Sequence, residues 1–308
     1  MGYILTRCCL NMRMLIVINL TKCYIITIKC RGNNLVRFAI AFLLLILSQL
    51  TLAKGLVVST HPLLLIAQDV TKGIEQPVLL LSPQQTGHDV QLTPKSRQII
   101  QNANLILWIG EAHEAPLKQV LQGQSKAIAL LDTAMMKTLP SRNARGQAIK
   151  GTLDTHIWLE PHNAVRIAFF IAALRSQQYP ENKAKYWQNA QNFAQRLYDA
   201  TKVQHTKNTQ FYWAYHDAYQ YLERSLNLTF AGALSPDHDL KPTATQMHYL
   251  NKNRPSKKMC LLAEYHADQA LVAMLKPVVH VTVDEAMSNQ TDFVEAWLKL
   301  AHAVKQCD

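Results

Sequence analysis

The chain has 308 residues, 49% of them hydrophobic, which is enough to fill one large core or two moderate ones. Its formal net charge of +11 at pH 7 would suit a nucleic-acid binder, but residues 1–53 hold six basic residues and no acidic one. Without them 26 Lys+Arg face 21 Asp+Glu, and the body has no Lys/Arg run interleaved with aromatics, so nucleic acid is excluded as the expected partner.

The basic excess reads as a targeting segment. Arg31 to Arg37 form a positive region, residues 38–47 an apolar stretch, and Thr51-Leu52-Ala53 a small-residue cleavage site, which predicts a leader over 1–53 and a mature chain starting at Lys54. The apolar stretch is shorter than the ~20 residues of a bilayer-spanning helix. Residues 1–30 carry Cys8, Cys9, Cys23 and Cys30, from which no function is drawn. The remaining pair, Cys260 and Cys307, lies in what would be an oxidising compartment and points to one disulfide, with two independent buried thiols as the alternative.

Past the leader, short β-branched or aliphatic runs alternate with segments of helical pattern, which predicts an α/β fold with mainly parallel sheets flanked by helices. The expected strands are 56–59, 78–81, 105–109, 211–215, 259–263 and 278–283. Pro140 to Gly151 turns polar and basic and reads as an exposed loop. From Pro161 to Leu174 the chain is apolar on most faces and opens with proline, as a buried helix does. Tyr186, Ala190, Phe193, Leu197 and Ala200 then recur at spacings of four and three, marking a long amphipathic helix between two groups of strands. The expected organisation is an N-lobe (54–179), a connecting helix (180–205) and a C-lobe (206–308).

Phosphate-loop, HExxH, CxxC and G-x-S-x-G signatures are missing, which argues against an enzyme. Polar residues remain near the ends of expected strands, where open α/β sheets bind ligands. His88 lies in a turn-rich loop after 78–81, His156 opens the approach to the buried helix, His216 follows 211–215 and Asp284 follows 278–283. Three neutral imidazoles and one carboxylate, two from each lobe, suit a tetrahedral Zn²⁺ site. Asp89 and Asp217 follow two of these histidines and either orient an imidazole or cap a helix; a cap is the expectation for Asp217.

At these residues the sequence resembles the zinc-binding component of bacterial zinc-uptake ABC transporters, within the cluster A-I metal-binding proteins. The likeness rests on Gly87-His88-Asp89-Val90, Ala103 to Gly110 with Glu114, His156-Ile157-Trp158-Leu159 with Pro161, His216-Asp217-Ala218-Tyr219, and Cys260 with Ala263-Glu264. It implies a periplasmic, monomeric, non-enzymatic carrier of Zn²⁺ that hands its ion to an inner-membrane ABC permease and its ATPase. It further implies His88, His156 and His216 as ligands, with Asp284 or water completing the shell, and a Cys260–Cys307 disulfide. Where many relatives have a His-rich loop, this chain has the basic segment ending at Lys150. Three other readings stay open: a secreted zinc hydrolase with Asp284 or Glu264 as general base, a manganese or iron carrier of the same fold, and an adhesion or other interaction protein in which the metal is structural.

Overall fold

The computed structural model describes residues 17–19, 22–24, 55–82, 92–202, 209–237, 240–264 and 267–307. Lys54, the expected start of the mature chain, and the loop that carries His88 lie outside the described residues. Two short strands, β1 (Val17–Asn19) and β2 (Lys22–Tyr24), pair antiparallel and belong to a separate compact unit.

The first parallel sheet holds β3 (Leu56–Val58), β4 (Val78–Leu79), β5 (Leu105–Trp108) and β6 (Ala127–Ala129) in the order β4-β3-β5-β6. Helices α1 (His61–Thr71), α2 (Pro94–Asn102) and α3 (Ala115–Leu121) make its crossovers. Period-two alternation divides the side chains. Leu56, Val58, Leu105 and Leu107 enter the central core, while Val57, Ile106 and Trp108 pack with Ile100, Leu117 and Leu121 of α2 and α3. Both faces are covered, which is why these strands read as continuous apolar runs.

Two long helices follow, α4 (Pro161–Gln178) and α5 (Lys183–Lys202). Glu160 caps α4 by accepting the Asn163 amide hydrogen at 2.9 Å, and Pro161 takes the first helical position. The side chains expected to line α5, Tyr186, Ala190, Phe193, Leu197 and Ala200, are all buried.

The second parallel sheet contains β7 (Gln210–His216), β8 (Leu228–Ser235), β9 (Met259–Ala263) and β10 (Val278–Thr282) in the order β10-β9-β7-β8. Its helices are α6 (Glu223–Leu226), α7 (Ala244–Lys252) and α8 (Gln269–Met274). The last helix, α9 (Phe293–Val304), buries Phe293, Trp297 and Leu300 in the central core. Each such side chain contributes roughly 1.5–3 kcal/mol by leaving water. That core also takes Tyr212, Ala214, Leu262 and Val281 from the second sheet, so one apolar cluster spans both sheets. Cys260 of β9 is disulfide-bonded to Cys307.

Two strands of the parallel sheets fall outside the expectation, β6 and β8, as do β1 and β2. β6 and β8 are edge strands built largely of alanine, glycine and small polar residues, which carry little β signal. The segment 140–151 is the larger correction. Exposed along its rim, it is not a free loop: Arg142 pairs with Ala148 across a short antiparallel hairpin, and Ile149 donates its amide hydrogen to Ser141 O at 2.8 Å. The hairpin tip covers the edge of β8, since Ala144 O accepts from the Ala233 amide at 2.9 Å and from Gln246 Nε2 at 3.0 Å. Gly232 makes this approach feasible: its φ is +130°, and a Cβ there would lie 2.5 Å from Leu250 and 3.3 Å from Ala144 O.

Candidate metal centre

In each sheet the order of strands reverses beside the first strand, and such switch points leave a crevice at the carboxyl ends. In the second sheet the crevice lies between β7 and β9, and their ends deliver His216, the last residue of β7, and Glu264, which follows β9. In the first, Ser59 and Ile109 follow β3 and β5, and residues 154–159 run in before α4.

His156 is 8% exposed and stands at the N-terminus of a 3-10 turn, Ile157–Leu159. The Asp154 carboxylate holds it twice: Oδ1 accepts the His156 backbone amide at 3.0 Å and sits 2.8 Å from the ring Nδ1. Burial alone would lower this imidazole, but the hydrogen bond and charge of Asp154 outweigh it and hold His156 above its ordinary range. A ring held through Nδ1 ligates metal through Nε2.

His216 is 2% exposed, and its Nδ1 lies 2.6 Å from Glu264 Oε1. The same oxygen accepts from the buried Tyr219 hydroxyl at 2.9 Å. The rings of His156 and His216 therefore meet with matching supports, their centroids 5.7 Å apart and their planes inclined by 50°.

The fourth expected ligand, Asp284, lies on the turn after β10 and contacts Ser288. Its Oδ2 accepts the Ser288 amide at 2.8 Å and its Oδ1 lies 3.3 Å from Ser288 Oγ, so it caps the turn after β10 as Asp commonly does. Glu285, the next residue, is 6% exposed, and the ligand atoms of His216, Glu264 and Glu285 all lie within 4.8 Å of one another. Glu285 is fixed from the other side of the cleft, because its carbonyl accepts from Trp158 Nε1 at 2.8 Å. The Asp284-Glu285 pair was visible in the sequence; which member turns inward depends on the turn, where Met287 adopts φ 53°.

Asp217 does not cap a helix. Its carboxylate takes a two-point contact from Arg142 of the hairpin, Nε to Oδ2 at 2.7 Å and Nη2 to Oδ1 at 2.9 Å. Arg142 also contacts Glu223 Oε1 at 2.6 Å and lies 3.8 Å over the Phe230 ring. Burial pushes Asp217 above the usual carboxylate range, and the guanidinium pulls it back. A small cavity of about 80 Å³ opens here, lined by Arg142, Asp154, His156, His216, Asp217 and Asp237 among others. That volume admits an ion with a few waters, whereas organic ligands occupy pockets of roughly 300–1,000 Å³.

Residues 56–306 match the family model described as "ZnuA: Zinc-uptake complex component A periplasmic". The chain belongs to this family. Its ZnuA-type relatives include the high-affinity zinc uptake system protein ZnuA of Haemophilus ducreyi, 27% identical over 234 residues that cover 67% of this chain and 75% of that protein. The fold is similar to that of the Streptococcus pneumoniae AdcAII protein, with a TM-score of 0.66 and 18% identity over 83% of this chain and all of that one. It is also similar to the Mn-bound periplasmic metal binding protein from candidatus liberibacter asiaticus, with a TM-score of 0.64 and 15% identity over 82% of this chain and 99% of the other.

Proposed function

We propose that this chain is the periplasmic solute-binding protein of a zinc-uptake ABC transporter, a non-enzymatic monomer that captures Zn²⁺ between its lobes and passes it to an inner-membrane permease driven by an ATPase. The lobes are assigned as 54–179 and 206–308, with 180–205 as the connecting helix and 1–53 as a removed leader. His156 and His216 ligate through Nε2, His88 supplies the third imidazole, and the 284–285 turn supplies the carboxylate.

The observation that carries this reading is the pairing of two buried histidines, His216 at the end of β7 and His156 at the turn ahead of α4, each with a carboxylate at Nδ1. Carboxylate-backed imidazoles hold one ring orientation, and a histidine-rich donor set favours zinc over manganese. Asp284 and Glu285 share one turn, and Glu285 brings its carboxylate closer to His216, so it is the better candidate for the fourth ligand.

Titration of the metal-free protein with Zn²⁺ and Mn²⁺ against a competing chelator tests this. One tight zinc equivalent, weakened by His156→Ala, together with restored growth of a ZnuA-deficient strain on low zinc, supports capture and delivery. Zinc-dependent turnover of an ester or amide, lost in the same variant, would instead establish a hydrolase.

A further inference from the structure

The hairpin 141–149 is exposed at its tip, and its buried cation, Arg142, borders the cavity with both histidines. Asp217 is the residue after His216 and lines that same cavity. Released from Arg142, this carboxylate would be an oxygen donor in the lining of the cavity that His156 and His216 also line. It is not released: both oxygens are taken by the Arg142 fork, in the two-point geometry that guanidinium and carboxylate share. Arg142 is in turn held by Glu223, the Tyr212 hydroxyl at 3.2 Å and the Phe230 ring, and its hairpin is tied to the edge of β8. Asp154, another carboxylate that lines the cavity, is held by His156.

We propose that Arg142 is a specificity-determining residue of the cleft: by occupying both oxygens of Asp217 it withholds a carboxylate from the bound ion, keeps the donor set rich in imidazole and so disfavours Mn²⁺ relative to Zn²⁺. The assignment rests on the zinc-capture reading above. Carboxylate oxygen suits manganese and imidazole suits zinc, so the number of available carboxylates beside the histidines moves the preference between the two ions. Arg142 acts through Asp217 and does not itself touch the ion.

The test compares Zn²⁺ and Mn²⁺ affinities of the purified chain with those of Arg142→Met, Arg142→Lys and the double variant Arg142→Met/Asp217→Leu, using a chromophoric chelator and circular dichroism to verify folding. Arg142→Met is expected to lower the zinc-to-manganese affinity ratio about ten-fold or more through a gain in manganese binding, and the double variant to restore it. Lys reaches only one oxygen, so Arg142→Lys is expected to fall between and serves should Arg142→Met not fold. A folded Arg142→Met or Arg142→Lys with the wild-type ratio overturns the proposal, as does a double variant that stays permissive. A wild-type chain without zinc preference overturns the capture reading, and the role of Arg142 with it.

Discussion

Asp154 and His156 are joined at two points, backbone amide and ring, through a single carboxylate oxygen. That arrangement fixes both the start of the 3-10 turn and the rotation of the imidazole, and Glu264 does the second of these for His216. Asp154→Asn and Glu264→Gln are each expected to weaken zinc binding about 10- to 100-fold without unfolding the chain. Competition titration measures the loss, with the exposed Asp199→Asn as control. Losses no larger than the control would mean that these carboxylates serve packing alone.

The 284–285 turn separates two roles that lie side by side in the sequence. Asp284→Asn is expected to loosen the turn by weakening the Ser288 contact, at a cost of about 0.5–2 kcal/mol, as other lost caps cost. Glu285→Gln is expected to spare stability and reduce zinc affinity, because its carboxylate stands with His216 and Glu264. Urea unfolding and zinc titration of both variants decide the assignment; zinc affinity lost in Asp284→Asn and kept in Glu285→Gln would return the ligand role to Asp284.

Most of the fold was legible because its central strands, such as β3, β5 and β9, are buried on both faces. Val57, Ile106 and Leu261 are as apolar as their neighbours, so runs such as Leu105–Trp108 announce themselves without any alternation. β8 was not legible: Leu228–Ser235 carries Gly232 and small residues because a hairpin carbonyl approaches it closely, a tertiary demand invisible in local pattern. The site followed the same rule. His156 and His216 sit where strand-end logic and short motifs put them, whereas the burial of Arg142 depends on Asp217 and Glu223, both more than seventy residues further along the chain. A basic segment at the surface and a basic segment plugged into buried carboxylates have the same composition.

The Cys260–Cys307 bridge closes a separation of 47 residues, joining a central strand to the turn that ends α9. Cys307→Ser is expected to destabilise the chain by about 2–4 kcal/mol, chiefly by freeing the unfolded state. Urea unfolding with and without reductant checks this: reduction should bring the wild type to the level of the variant and leave the variant unchanged. Equal stability before and after reduction of the wild type would rule out a stabilising bridge.

Glu114 supplies a pH signature of its own. Its carboxyl is fully buried beneath the first sheet's strand ends, with Oε2 accepting the Gly110 amide hydrogen at 3.0 Å and Ser59 as its neighbour. Burial raises it from 4.5 to about 7, against smaller opposing effects of Ser59, Gly110 and Ile109. Between those values the folded chain binds a proton that the unfolded chain releases. The resulting stabilisation is complete below 4.5 and is lost as pH rises through about 7. Its full size is about 3 kcal/mol at most, at 1.36 kcal/mol per unit. Glu114→Gln removes the titration, so the variant is expected to gain on the wild type between pH 5 and 8 when metal-free protein is unfolded in urea at each pH. A stability difference between the two that stays constant across that range would show that Glu114 is ionised throughout.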